Sequence, residues 1–147
     1  LKNILFVFPL TYGDRVYKKK LKKFISEKKI NHILYTHPLS DEEIAAIRIN
    51  TDILIHLRKT DMLSGSFQEH LYAGSVVITG KWLPYSALKE KGCYFHEINT
   101  IDELPEKILF VVENLENEKK KAKVNAPIIY EMSSWENVLL KHVELYS

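Results

Sequence analysis

The stretch TDILIHLRKTDMLSGSFQEHLYAGSVVITG, residues 51–80, decides the fold. It contains two apolar runs of strand length, Ile53 to Leu57 and Val76 to Thr79, which are nearly continuous rather than alternating. Such runs are typical of strands covered on both faces of a parallel sheet. The stretch between them has room for one crossover helix, so the segment predicts a β-α-β unit.

Three further apolar runs repeat the pattern, at Ile4 to Leu10, Ile30 to Tyr35 and Tyr94 to Ile98. Helix starts between and after the runs are indicated by capping boxes, in which Ser or Thr precedes Glu by three residues. The boxes are Ser40 with Glu43, Thr100 with Glu103, and Ser133 with Glu136. The sequence therefore predicts an α/β fold, a Rossmann-like, doubly wound parallel sheet of about five strands with helices on both faces.

Length and composition favour one domain over residues 1–147, because 46% hydrophobic residues in a chain of this size supply a single core. We expect a closing helix at about 133–146 and an exposed helix end or linker at Glu116 to Lys123. The net charge of +2 provides no overall attraction to nucleic acid or to an anionic membrane, so any basic surface that binds a partner must be local. The lone cysteine, Cys93, favours a reducing compartment, hence the cytoplasm, and no apolar run is long enough to cross a membrane.

In an open parallel sheet, ligands bind beyond the carboxyl ends of the strands. The loop after the third run is the richest in suitable groups. Its turn Ser64-Gly65-Ser66 opens a helix and can direct consecutive backbone amides at a phosphate. Neither GxxxxGK[ST] nor GxGxxG occurs, which argues against a P-loop and against a dinucleotide fingerprint.

The segment Asp61 to Gly74 resembles the acidic-x7-Glu element of GT-B glycosyltransferases of the family 4 type, usually Glu-Gly-Phe-Gly-x4-Glu-x3-Gly. Asp61 and Glu69 hold the required spacing. Residues 134–146, which begin Ser-Trp-Glu, resemble the closing helix of such enzymes. Residues 9–13 and 82–85 resemble bacterial transferases of the TDP-N-acetylfucosamine:lipid II N-acetylfucosaminyltransferase kind. Because Leu1 is not a methionine and a strand follows almost at once, we expect the chain to be a piece excised from a longer protein. The resemblance implies that the longer protein holds the acceptor in an N-terminal domain.

The resemblance implies a domain that binds a nucleotide diphosphate sugar and is inactive alone, without cofactor or metal. Glu69 would bind the ribose hydroxyls, and Asp61, at the catalytic position, would contact the donor sugar. The amides of Ser64, Gly65 and Ser66 would hold the diphosphate. The remaining predicted contacts to base, sugar or phosphate are Tyr12, Gly13, Thr36, His37 and Lys81.

Two departures from the family pattern are visible. The first acidic residue is Asp61 rather than Glu, and Leu-Ser-Gly-Ser replaces Gly-Phe-Gly. The basic residue that neutralises the diphosphate has no clear match, so Arg58, Lys59 and Lys81 are all candidates. Purely structural interpretations also exist. Ser66 and Glu69 have capping-box spacing, and Asp61 has a residue type that favours turns.

Other features leave alternatives open. The lysine run at residues 18–20 and 22–23 is more typical of a solvated helix face, although a peripheral membrane role would suit an enzyme with a lipid-linked acceptor. The six histidines show no zinc-ligand spacing. A UDP-sugar epimerase of the same fold, or a non-catalytic α/β interaction module, remains an alternative. A receiver-type module is disfavoured because no carboxylate precedes Asp14 after the first strand.

Overall fold

The computed structural model describes residues 4–144 and 146, with side chains outside the description at residues 140–142 and 144. In chain order the elements are β1 (Phe6–Pro9), α1 (Arg15–Glu27), β2 (His32–Tyr35), α2 (Asp41–Asn50), β3 (Ile53–His56), α3 (Gly65–Tyr72), β4 (Val76–Gly80), α4 (Ser86–Glu90), β5 (His96–Ile98), a 3-10 turn (Ile101–Glu103), α5 (Leu104–Glu113), α6 (Leu115–Ala122), α7 (Asn125–Ser133) and α8 (Trp135–Glu144). None of the helices described is long and apolar enough to cross a bilayer.

The α/β class and the five predicted strands are confirmed. The strands form two parallel sheets, β1-β2 and β3-β4-β5, rather than one hydrogen-bonded sheet of five. The chain divides into two compact units, residues 1–45 and 46–147, and each sheet belongs to one of them. We refer to them as the first and the second unit.

In the first unit, two helix starts are held by side chains. The Asp14 carboxylate accepts the Tyr17 amide at 2.7 Å and caps α1. Ser40 and Glu43 form the predicted capping box at the start of α2, with bonds of 2.8 and 3.3 Å in the two directions.

The core of the second unit lies on both faces of β4, every residue of which is buried. Successive strand residues point to opposite faces, which is why β4 reads as a continuous apolar run. Val77 packs with residues of α3, α4 and α7, whereas Val76 and Ile78 pack with residues of α5 and α6.

Two of the predicted capping boxes are wrong. At Thr100 no side-chain cap forms, because the Glu103 amide donates to the Thr100 carbonyl at 3.2 Å and not to the Thr100 hydroxyl. The Glu103 carboxylate accepts the backbone and side-chain N–H groups of Asn99. Ser133 ends α7, and it is the Ser134 hydroxyl that accepts an amide, from Asn137 at 3.4 Å. The closing helix expected at 133–146 accordingly spans Trp135–Glu144.

The segment predicted as an exposed helix end or linker is α6, and it carries a buried carboxylate. Glu118 accepts bonds from the Tyr94 hydroxyl, from His96 Nε2 at 2.7 Å and from Lys121 Nζ at 2.7 Å. Burial raises the pKa of Glu118, but these bonds outweigh it and lower the pKa to about 2. The acidic residue is tolerated in the core because its oxygens are paired.

Candidate functional site

The loop between β3 and α3 is anchored by a buried polar cluster of His56, Asp61 and Tyr85, here called the Asp61 cluster. Asp61 Oδ2 lies 2.8 Å from His56 Nε2 and accepts the Tyr85 hydroxyl, while Oδ1 accepts the Met62 amide at 3.0 Å. The Asp61 side chain is only 6% exposed. The carboxylate therefore points into the second unit.

The electrostatics of the cluster are defined by these bonds. Burial raises the pKa of the Asp61 carboxyl, but donors on Tyr85, His56 and Met62 outweigh it, and its pKa lies well below the usual 3.8. Burial and the bond to Asp61 raise the pKa of the Tyr85 hydroxyl. Because a carboxylate only accepts hydrogen bonds, we assign the His56 proton to Nε2.

Aromatic packing holds the cluster in place. The Phe67 ring stacks on the Tyr85 ring with centroids 4.1 Å apart, and it meets the His56 ring edge-on at 5.3 Å. Between Asp61 and α3, Leu63 has a φ of +60°, a left-handed conformation that is strained for leucine. Its side chain packs against the core, which opposes relaxation of the strained backbone.

The N-terminus of α3 is open. Ser64 is its N-cap, and the Ser64 hydroxyl accepts the Phe67 amide at 3.3 Å. The amides of Gly65 and Ser66, in the first turn, have no partner within the helix and point out of its positive end. A capping box between Ser66 and Glu69 is wrong, because Ser66 lies inside the helix and Glu69 is too far along it to cap its start.

Glu69 is held in place but remains accessible. Its carboxylate forms an ion pair with Arg48 of α2, and its side chain is 53% exposed. A Cβ atom placed on Gly65 would lie 3.7 Å from Glu69 Oε1. The carboxylate therefore reaches back along α3 to the turn that carries the free amides.

The buried residue next to Glu69 is His70. Its Nδ1 lies 3.1 Å from the Ser75 hydroxyl, which donates to the Thr51 carbonyl. Burial, followed by the positive charge of Arg48, lowers the pKa of His70 to about 4. The imidazole is therefore neutral at pH 7 and packs as part of the core.

The loop after β4 is joined to the loop after β3 by Trp82. The Trp82 indole N–H donates to the Arg58 carbonyl at 2.8 Å. A Cβ atom on Gly80 would lie 2.3 Å from the indole ring, so only glycine allows the ring to lie there.

The predicted phosphate partner Lys81 follows Gly80 with an exposed side chain. Arg58 and Lys59 are exposed on the loop after β3, and Arg58 Nη1 lies 3.7 Å from Asp61 Oδ1.

Four of the predicted residues belong to the first unit. Tyr12 and Gly13 follow β1, and Gly13 has a φ of +103°, which favours glycine. Thr36 and His37 follow β2 and are exposed, and His37 Nε2 lies 3.9 Å from Glu43 Oε1. All four follow the carboxyl ends of strands, which is where ligands bind in an open parallel sheet.

Sequence reasoning missed two partners in the second unit. His56 carried a detectable signal, since it is the last residue of a strand at the carboxyl end of a sheet. Arg48 carried none, because nothing in the α2 sequence indicates that it meets Glu69.

Within residues 4–144 and 146, no three His, Cys, Asp or Glu side chains lie close enough together to hold a metal ion. Comparison of the chain with protein families, with curated proteins and with solved structures finds no match in any of the three.

Proposed function

We propose that this chain is the donor-binding domain of a GT-B-type glycosyltransferase. It binds a nucleotide diphosphate sugar for transfer to an acceptor held by an N-terminal domain outside this chain. The observation that carries the proposal is the position of Glu69. An accessible carboxylate, paired with Arg48, lies beside the open N-terminus of a helix that follows a parallel strand.

These groups match the chemistry of a nucleotide diphosphate. A carboxylate accepts hydrogen bonds from two vicinal ribose hydroxyls, and Glu69 is the acceptor in this proposal. The amides of Gly65 and Ser66, at the positive end of α3, take the neighbouring diphosphate. During transfer the same amides stabilise the charge that develops on the departing nucleotide diphosphate.

Basic side chains on the two joined loops supply the remaining neutralisation. Arg58 and Lys59 precede the helix N-terminus in the chain, and Lys81 lies on the loop that Trp82 joins to it. Arg58 is the favoured candidate because two contacts restrain it. The Asp61 carboxylate restrains its side chain, and the Trp82 indole N–H restrains its backbone carbonyl.

Asp61 has a positioning role in this proposal. Its carboxylate is fully engaged with His56, Tyr85 and Met62, and so it fixes the loop that leads to the α3 amides. The sugar contact expected for Asp61 stays a prediction. The ligand contacts expected for Tyr12, Gly13, Thr36 and His37 also stay predictions. So does the arrangement of the five strands in a single doubly wound sheet.

The test is calorimetric titration of the chain with UDP, GDP and TDP and with sugars carried on each. We expect one base to be preferred and Glu69→Gln to weaken its binding by about 10- to 150-fold, the cost of about 1.5–3 kcal/mol for a hydrogen bond to a charged group. Glu106→Gln, an exposed change on α5, is the matched control. Absence of binding by all three nucleotides at millimolar concentration would sink the proposal.

The alternative epimerase is distinguished by its products. A chain joined to its acceptor domain should consume donor only when acceptor is present, because GT-B closure completes the site. Conversion of a UDP-sugar to its epimer without acceptor would favour the epimerase instead.

A further inference from the structure

We propose that α1 binds the surface of an anionic lipid bilayer, through exposed Val16, Tyr17 and Phe24 and the lysines that flank them. All of these residues belong to the first unit, so this binding is independent of the proposed donor site.

Helix α1 has an outward apolar face that the first unit does not cover. Val16 and Tyr17 are each 62% exposed and Phe24 is 51% exposed. Tyr17 and Phe24 are seven residues apart, about two turns, and therefore lie on one side of the helix. The helix meets its own core through a different side, where Ile25 is buried. Single exposed apolar residues are ordinary, but this helix carries three within three turns.

Positive charge is concentrated on the same segment of the chain. Residues 15–29 contain eight of the 21 Lys and Arg residues of the chain and one acidic residue, Glu27. The rest of the chain is left with 13 basic and 18 acidic residues. A protein of almost neutral net charge thus has one strongly basic segment, which complements an anionic surface.

Basic side chains lie between the apolar ones along the helix. Lys20 lies three residues after Tyr17 and four before Phe24, so its Cβ shares their side of α1. Lys28 Nζ lies 6.0 Å from the centre of the Phe24 ring. Lys23 meets Glu27 at 3.7 Å, with both side chains mostly exposed, which is a weak pairing that a headgroup can replace.

This arrangement fits a bilayer interface better than nucleic acid. Lysine stems extend so that the ammonium groups reach phosphate headgroups, while rings between them enter the acyl boundary. A helix of 13 residues is about 20 Å long and can lie in the interface plane. A nucleic acid backbone would use the lysines, but Val16 would gain nothing from it.

The experiment is flotation of the chain with large unilamellar vesicles. One set is phosphatidylcholine with 30% phosphatidylglycerol, on the order of a physiological anionic surface, and the other is phosphatidylcholine alone. We expect binding to the anionic vesicles only, and weaker binding as salt rises. Lys20→Gln with Lys23→Gln should weaken partitioning roughly fivefold per lysine. Lys120→Gln with Lys123→Gln, equal in charge and exposed on α6 and at its end, should bind as the native chain does.

The apolar contribution is tested separately. Tyr17→Ala with Phe24→Ala should lose most of the binding, whereas Ile101→Ala, an exposed apolar residue elsewhere, should lose none. Equal binding to both vesicle types would overturn the proposal, as would equal losses in the two lysine variants. If the aromatic variant kept its vesicle binding while the native chain bound poly(U) more tightly than vesicles, the face would be a nucleic acid site and the proposal wrong. The vesicles contain no nucleotide, so failure here leaves the donor site untouched.

Discussion

Replacing Tyr85 by phenylalanine isolates the Asp61 cluster. The substitution keeps the ring that stacks on Phe67 and removes only the hydroxyl that donates to Asp61. A hydrogen bond to a charged acceptor contributes about 1.5–3 kcal/mol, and the loss leaves a buried carboxylate with fewer donors. We therefore expect the free energy of unfolding to fall by about 2 kcal/mol at pH 7.

The assay is urea denaturation followed by circular dichroism, with Tyr72→Phe as the control because the Tyr72 ring is half exposed. The control should change the free energy of unfolding by less than about 0.5 kcal/mol.

The pH dependence gives a second check. Asp61 has a lower pKa folded than unfolded, so its contribution is complete above the unfolded value near 3.8 and is lost as the pH falls below it. The difference between Tyr85→Phe and the native chain should therefore narrow below pH 3.8. A loss under about 0.5 kcal/mol at pH 7, or a difference that stays constant in acid, would refute a structural role for the cluster.

Three further predictions concern the same unit. Gly80→Ala should lower the free energy of unfolding by about 1–3 kcal/mol, because a Cβ atom would displace Trp82, whereas Gly65→Ala, where a Cβ meets only Glu69 Oε1 at 3.7 Å, should cost little; equal losses in urea denaturation would contradict this. Ser64→Ala should lower the free energy of unfolding by about 0.5–2 kcal/mol because it removes the N-cap, and Ser66→Ala should lower it by only a few tenths. A larger loss for Ser66→Ala would contradict the assignment of Ser64 as the N-cap of α3. The His70 imidazole should titrate near pH 4 by NMR; since unfolded His70 takes up its proton near 6.5, stability should decline as the pH falls from 6.5 to 4, and a midpoint above 6 would contradict the buried, neutral assignment.

The strands were predictable because burial on both faces leaves a continuous apolar run that needs no knowledge of partners. Which strands pair with each other was harder to predict from the sequence. Whether the backbone of β2 forms a ladder with a neighbour depends on close approach, and side-chain pattern does not encode that distance. The capping boxes show the same limit. The Glu43 carboxylate accepts the Ser40 amide as predicted. After Thr100, however, the Glu103 carboxylate accepts two N–H groups of the neighbouring Asn99.

The local features of the candidate site follow from the sequence, whereas its tertiary contacts do not. The small-residue turn does open a helix, and Glu69 does not cap it. The inward direction of Asp61 depends on Tyr85, which lies 24 residues later, and on the packing of Phe67 between them. No spacing rule relates residues that far apart. The same holds for the pairing of Glu69 with Arg48 across two helices.

The Trp82 contact gives the protein an optical signal beside the loop that leads to the proposed donor site. The chain has two tryptophans, and the other, Trp135, is largely exposed on α8. A Trp135→Phe version would leave a single fluorophore whose N–H bridges to the Arg58 carbonyl. Any ligand that shifts the loop after β3 must alter the surroundings of that indole. Its emission could therefore report loop movement in real time, without a label and with unmodified ligands.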